Sequence, residues 1–329
     1  MPKAAVIHAK GGPEVFRYED VEVGNPGAGE VRLAHIAIGV NYADTYHRGG
    51  VSHPWPVGEP PVIVGFEATG EVLELGPGVD DFRVGDKVVY GLPPLGAYCQ
   101  ERLYPVSTLL KIPDGIDATA LAGVFMKGVT AYYLLHKTYA VQPGDWVLVH
   151  AAAGGMGNVL VPWAKSLGAV VIGTVGSEAK AEIALELGCD HVVNYATEDF
   201  AARCRDLTDG QGVHVVYESI GKATLAGSLD SLRMLGMCAA YGHASGPPDP
   251  VDVIQDLGAR GSLFITRPAV MHYLATREAL DEAAVALFDV LRSNVVRSTI
   301  NHTYPLSEAA EAHRAIHERR TTGSTVLLP

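Results

Sequence analysis

Cysteine is scarce in this sequence: Cys99, Cys189, Cys204 and Cys238 are its four, and none stands in a C-x-x-C pair. Isolated thiols without a histidine at ligand spacing argue against a disulfide framework and against a structural zinc knot. The thirteen histidines form no H-E-x-x-H set, so no metal is expected. Positive charge is also short. With 25 Lys and Arg against 37 Asp and Glu, the net charge is -12 and the pI is near 5.5, which opposes broad attachment to nucleic acid or to an anionic membrane. A small-molecule partner is expected instead. No apolar run reaches membrane-spanning length, and the opening MPKAAVIHAKGGPEV lacks the apolar core and cleavage pattern of a secretory signal. The expected location is cytoplasmic.

What the chain does have is length and apolar content: 329 residues, 48% hydrophobic, enough for two cores. The first third alternates short apolar runs (AAVIHA, VRLAHIAIGV, VIVGFEATGEVLELG, DKVVYGL) with turns rich in Gly, Pro and Asp, the pattern of an antiparallel β domain. From about Ala118 helical stretches take over. From Trp146, the strands WVLVH, AVVIGTV, HVVNY, HVVYES, MCAAYG and SLFIT alternate with helices, which predicts an α/β fold with a doubly wound parallel sheet. AKAEIALELG and ATLAGSLDSLRMLG have the spacing of covering helices, with Gly188 and Gly236 as their stops. After Thr266 the elements leave this pattern, and the simplest topology returns the tail to the first unit. GHASGPPDP, 242–250, reads as a loop at the carboxyl end of a strand, where open α/β sheets bind ligands.

The run WVLVHAAAGGMG, Trp146 to Gly157, joins a buried strand to a glycine-rich turn and then to a helical pattern. Glycine lets the backbone lie against a pyrophosphate, and the amides at a helix start favour negative charge. The match is to A-x-x-G-x-x-G through Ala151, Gly154 and Gly157, and a tight turn that binds nothing would also accommodate it. At the tip of the next strand, where an NAD site places an acid for the ribose hydroxyls, stand Gly176 and Ser177. Lys180 follows within a turn of helix and Tyr195 closes the next strand, so hydroxyls and a cation surround the place of a 2'-phosphate. NADPH is therefore expected over NADH. Taken singly, Lys180 reads better as a solvated helix lysine and Tyr195 as a strand-end aromatic; only their grouping points to a phosphate.

NYADTYHRGG at 41–50, GFEATGEVLELGPGVDDFRVGDKVV at 65–89, KGVTAYYLL at 127–135, HAAAGGMG at 150–157 and GSTVLLP at 323–329 resemble the zeta-crystallin-like NADPH:quinone oxidoreductases of the medium-chain dehydrogenase/reductase superfamily. The resemblance runs from end to end. It implies a GroES-like catalytic domain over 1–120 and 267–329, a Rossmann NADPH-binding domain over 121–266, an interdomain cleft and a homodimer. The zinc-dependent relatives carry a cysteine at the place of Asn41 and G-H-E at the place of Gly65-Phe66-Glu67, so both metal ligands are missing here. A site without a Lewis acid suits acceptors that are already electron-poor.

By the same resemblance, Asn41, Asp44 and Tyr46 are the expected catalytic group beside the nicotinamide, with Asn41 also touching the cofactor. A turn, a helix cap and a packed aromatic account for these three equally well. Thr130 and Tyr133 are expected to line the cofactor channel, and Ala153, Gly154, Gly155 and Met156 to hold the pyrophosphate. Gly173, Ser177, Lys180 and Tyr195 fall to the adenosine phosphate side. Ser219, Tyr241, Gly242, His243 and Ala244 are expected along the path to the nicotinamide. Phe264, Thr266 and Arg267 are placed near its amide, with Arg319 reaching in from the tail.

Quinone reduction is the leading expectation, and reduction of an enone or alkenal double bond the alternative. From a different class comes a non-catalytic NADPH-binding or RNA-binding protein, against which the acidic balance weighs where RNA is concerned. For the homodimer, GSLFIT, 261–266, is a candidate edge strand, although an internal strand would read the same way.

Overall fold

Apolar residues alternate with polar ones along EVRLAHIAIGV, and Glu30–Val40 is accordingly the longest strand, with Val31, Leu33, Ala37 and Ile38 buried. The structure, a computed structural model, describes residues 1–51 and 58–329. Strand Glu30–Val40 pairs antiparallel with Glu67–Leu75 along one edge, and with Glu101–Pro105 and Ser324–Leu328 along the other. Ile300–Pro305 adds in parallel beyond Ser324–Leu328. Lys87–Tyr90 and Leu110–Lys111 extend the opposite side of this sheet. A second, three-stranded sheet orders Phe16–Asp20, Lys3–Ile7 and Val62–Ile63. Their shared core gathers Ile7, Leu33, Ile38, Val88, Tyr90, Tyr98 and Leu327. This first unit comprises Met1–Lys127, Thr276–Arg292 and Ser298–Pro329.

The second unit, Gly128–Ala275 with Ser293–Arg297, is built on a six-stranded parallel sheet. Its order is His191–Asn194, Val170–Val175, Trp146–Val149, Val213–Glu218, Leu232–Ala240 and Phe264–Thr266. In sequence order that is 3-2-1-4-5-6, the doubly wound arrangement the alternating pattern predicts. The order reverses between Trp146–Val149 and Val213–Glu218, and such a switch point opens a crevice at the carboxyl ends of the strands. Helices Gly157–Ser166, Glu178–Glu186, Phe200–Leu207 and Leu225–Asp230 join the strands.

One element departs from the expected pattern. Gly236 does not stop a helix; it lies inside the strand Leu232–Ala240, and the preceding helix ends at Asp230. Leu225, Leu229 and Leu232 are all buried in one core, so the spacing of a helical face runs on across Ser231 into a strand residue. Gly188 does end its helix as expected, at a φ of 107° that favours glycine.

Candidate active site

The turn after Trp146–Val149 is built on close backbone approaches. A Cβ on Gly157 would stand 2.0 Å from the carbonyl oxygen of Ala152, and one on Gly173 would stand 2.7 Å from the Ala152 side chain. Neither position admits a larger residue without moving the turn. Ala151 takes a left-handed φ of 52°, and the Gly154 amide donates to its carbonyl at 2.8 Å. Met156 caps the helix Gly157–Ser166, so Ala153, Gly154, Gly155 and Met156 line up immediately before a helix N-terminus.

Beneath this turn, at the switch point, lies a buried polar network. Ser228 Oγ donates to Glu218 Oε2 at 2.5 Å and therefore accepts from His150 Nε2, 2.9 Å away. That fixes the histidine tautomer: Nδ1 is the acceptor, and Thr174 Oγ1 donates to it at 2.9 Å. Burial holds the His150 imidazole below its ordinary pKa, against the pull of Glu218. The other Glu218 oxygen, Oε1, accepts from the amides of Ile220 and Gly221 and from Thr224 Oγ1. One carboxylate thus ties two central strands to the loop that carries Ser219.

At the tip of Val170–Val175, a Cβ on Gly176 would stand 2.5 Å from the Tyr195 hydroxyl, so glycine here lets the tyrosine close over the strand end. Ser177 caps the helix Glu178–Glu186 by accepting from the Lys180 amide at 3.4 Å. Gly176, Ser177, Lys180 and Tyr195 are therefore one neighbourhood. Glu178 is an acid beside that tip which the sequence reading passed over. Its carboxylate is engaged by Asn194 Nδ2 at 2.7 Å.

The residues expected along the nicotinamide path also gather. The Ala244 amide donates to the Ser219 carbonyl, and a Cβ on Gly242 would stand 2.6 Å from that same oxygen, so Tyr241–Ala244 crosses directly over Ser219. Burial, together with the Arg267 charge, lowers the His243 pKa. Thr266 closes the strand Phe264–Thr266, whereas Phe264 opens it and is 54% exposed. Tyr133 hydrogen-bonds Thr130 and stacks on Tyr273, with ring centres 4.6 Å apart. Arg319 belongs to the first unit, past the helix Ala309–His317, at a φ of 58°.

Asn41, Asp44 and Tyr46 lie in the first unit at the start of the helix Tyr42–Gly49. Asn41 is the N-cap, and its backbone amide donates to Asp44 Oδ2 at 2.8 Å. Its side chain faces a buried ion pair: Asn41 Nδ2 donates to Glu67 Oε1 at 2.8 Å, and Lys127 Nζ donates to Asn41 Oδ1 at 3.2 Å. Lys127 Nζ and Glu67 Oε1 are 3.5 Å apart, and the Met126 amide donates to Glu67 Oε2. Asp44 is fully buried, and Tyr98 Oη donates to its Oδ2 at 3.0 Å, while Oδ1 has no hydrogen-bond partner among the described residues. Burial pushes the Asp44 carboxyl up to about 7, helped by the Glu67 charge and opposed by the Asn41 and Tyr98 hydrogen bonds and by Lys127. A carboxyl in this range holds or releases a proton near neutrality. Tyr46 is buried edge-on against Tyr42, ring centres 5.4 Å apart.

Sequence reading did not single out Lys127, Tyr98 or His313, and it used Glu67 only as part of a motif. The available signal was the charge in Glu67 and Lys127, both set in apolar stretches where an unpaired charge is costly. Among the described residues no group of three His, Cys, Asp or Glu side chains is arranged to hold a metal ion.

Comparison with known proteins agrees with both units. The model for the alcohol dehydrogenase GroES-like domain matches residues 27–141, and that for zinc-binding dehydrogenases matches 155–286. A 2-haloacrylate reductase from a Burkholderia species is 60% identical, covering 100% of this chain and 99% of its own. A quinone oxidoreductase of Pseudomonas aeruginosa is 43% identical, with both chains covered completely. The crystal structure of Escherichia coli quinone oxidoreductase complexed with NADPH superposes with a TM-score of 0.96 at 39% identity, covering 99% of this chain and 100% of that one.

Proposed function

Because the chain belongs to the quinone oxidoreductase family of the medium-chain dehydrogenase/reductase superfamily, we propose that it is an NADPH-dependent reductase of electron-poor double bonds. Its acceptor on this reading is an alkene conjugated to a carbonyl or carboxylate, of the 2-haloacrylate kind. Quinones are the second reading. The sequence placed quinones first; identity of 60% to a 2-haloacrylate reductase against 43% to a quinone oxidoreductase supports putting the alkenoate ahead of them.

The residues of the second unit fit a dinucleotide phosphate. Glycines at 154 and 157 let the turn fold tightly against the carbonyls of Ala151 and Ala152 just before a helix N-terminus. Ser177, Lys180 and Tyr195 surround the place of the 2'-phosphate, and the nearby acid Glu178 is turned to Asn194. When bound, NADPH supplies a hydride to the electron-poor carbon. The carbon or oxygen that receives the displaced electron pair then needs one proton for either acceptor. The observation that carries the proposal is Asp44, a buried carboxyl that accepts from the Asn41 amide and the Tyr98 hydroxyl at one oxygen and that burial pushes up to about 7. Asn41 and Lys127 present an amide and a cation beside Glu67 that suit a carbonyl or carboxylate oxygen. Tyr46, on the same helix as Asp44 and packed against Tyr42, is a further hydroxyl for orientation on this reading.

We also propose a homodimer paired through Phe264–Thr266, the terminal strand of its sheet. Phe264, Met234 and Leu235 are 54%, 74% and 60% exposed there, a concentration of apolar surface that favours a partner.

The decisive assay follows NADPH oxidation without added metal, using 2-chloroacrylate, an alkenal and 1,4-benzoquinone in parallel, and repeats it with NADH. Turnover with the alkenoate above that with the quinone, and with NADPH above NADH, is expected. Quinone turnover alone would establish the second reading, and tight NADPH binding with no turnover on any acceptor would leave only a binding role.

A further inference from the structure

Asp44 is the end of a chain of hydrogen bonds that crosses the first unit. Arg48 Nη1 lies 3.0 Å from His313 Nδ1, and His313 Nε2 lies 2.9 Å from Tyr98 Oη, which in turn is 3.0 Å from Asp44 Oδ2. Every member is buried. A guanidinium only donates, so His313 Nδ1 is an acceptor and the ring carries its proton on Nε2. That proton goes to the Tyr98 oxygen, leaving the Tyr98 hydrogen for Asp44. All bonds in the chain therefore point the same way, from the fixed positive charge of Arg48 toward the carboxyl of Asp44.

This order has a chemical meaning. A guanidinium cannot take up a proton in water's pH range, so the chain stops at Arg48 and does not conduct protons onward. It polarises instead. Each bond strengthens the next, and the last one favours the carboxylate over the carboxylic acid at Asp44. Two opposing influences sit on the other side: burial, and the negative charge of Glu67 on the strand Glu67–Leu75. Lys127, on the helix Phe125–Tyr133, and the Asn41 amide act with the chain, and Arg48 and His47 share the helix of Asp44.

We propose that Tyr98 and His313 are positioning residues that set the proton affinity of Asp44, and so the pH at which the enzyme turns over. This rests on the proton-donor reading of Asp44 given above. His313 comes from the helix Ala309–His317, 215 positions from Tyr98, so the candidate catalytic helix is tuned by the far end of the chain. Removing the Tyr98 hydroxyl withdraws a hydrogen bond from the charged form and raises the Asp44 pKa. Removing the His313 ring leaves Tyr98 a weaker donor and raises it by less. Glutamine at 313 restores one acceptor for Arg48 and one donor for Tyr98.

The test uses the full-length protein as wild type, Tyr98→Phe, His313→Leu and His313→Gln, with Asp44→Asn as reference. The Asp44 carboxyl is titrated by isotope-edited infrared difference spectroscopy, and the pH profile of kcat/KM is measured alongside. Tyr98→Phe is expected to move the Asp44 midpoint up by about one pH unit, His313→Leu in the same direction by less, and His313→Gln to stay near wild type. An unchanged midpoint in Tyr98→Phe, or equal shifts in the two His313 variants, overturns the proposal. Tyr98→Phe keeps the ring packing and His313→Gln keeps the hydrogen-bonding pattern, so these two variants decide the matter even if His313→Leu misfolds. Should the midpoint move while the activity profile stays fixed, Asp44 is not the proton donor; should Asp44→Asn keep full kcat, the same conclusion follows, independently of the tuning.

Discussion

Asn41 and Glu67 are 26 positions apart in sequence, yet the amide of one donates to the carboxylate of the other at 2.8 Å, beside the buried ammonium of Lys127. The three form a polar cluster in which each partner makes the others tolerable away from water. Glu67→Ala leaves Lys127 buried without its counter-charge and is expected to cost about 3–5 kcal/mol of stability. Adding Lys127→Met removes the orphaned charge and should recover much of that loss. Urea unfolding of both single variants and the double variant checks this, since simple additivity would mean the pair is not coupled.

The Asp44 carboxyl should appear in the pH dependence of folding. Its folded pKa, about 7, lies above the ordinary value of 3.8, so the folded chain holds the proton more tightly than the unfolded one. Its contribution to stability is complete below that ordinary value and is lost as pH rises through the folded one. Asp44→Asn should gain on wild type over that interval, by at most about 1.4 kcal/mol per pH unit. His313 acts with the opposite sign: its pKa is lowered to about 3 from 6.5, so its contribution is present above the higher value and is lost as pH falls toward the lower. Denaturation midpoints across the pH range test both, and a constant offset between Asp44→Asn and wild type would contradict the first.

In the second unit, Ser228→Ala deprives His150 Nε2–H of its acceptor and Glu218 Oε2 of its donor. A loss of about 1–3 kcal/mol is expected. Because these groups sit under the glycine turn and anchor the loop of Ser219, NADPH affinity should fall as well. Calorimetry shows whether it does; unaltered affinity in a destabilised protein would confine the network to a structural role.

Lys180→Ala should weaken NADPH by about ten- to a hundredfold, the worth of one charge-assisted hydrogen bond, while sparing NADH. Fluorescence titration with both dinucleotides decides this, and equal losses would remove Lys180 from the 2'-phosphate.

Phe264→Lys places a charge on the apolar edge of the sheet. Sedimentation equilibrium should then show monomer where the wild type is expected to be a dimer, and a monomeric wild type would end the proposal.

The glycine turn and the strand–helix alternation were readable from sequence because both are local: a turn, a period and a cap are set within a dozen residues. Gly236 was misread for the same reason, since Leu225, Leu229 and Leu232 keep helical spacing across a boundary that only the sheet imposes. The buried networks were out of reach for a different cause. His150 meets Ser228 across 78 positions and Arg48 meets His313 across 265, and no local pattern pairs residues so distant. Asp44 was readable as a helix cap, and Asn41 was marked by its place in NYADTY. What sets their chemistry lies on other elements.

The strand Ser324–Leu328 lies between Ile300–Pro305 and Glu30–Val40 in one sheet. On a ribosome, residues 128–275 emerge before 324–328, so the second unit has its whole parallel sheet in hand while the first still waits for a strand. Synthesis order and assembly order are therefore opposed: the unit begun earlier is completed later. Until then residues 38–40, the part of Glu30–Val40 that receives Ser324–Leu328, are unpaired along that edge, and the nascent chain needs protection there against pairing with a neighbour.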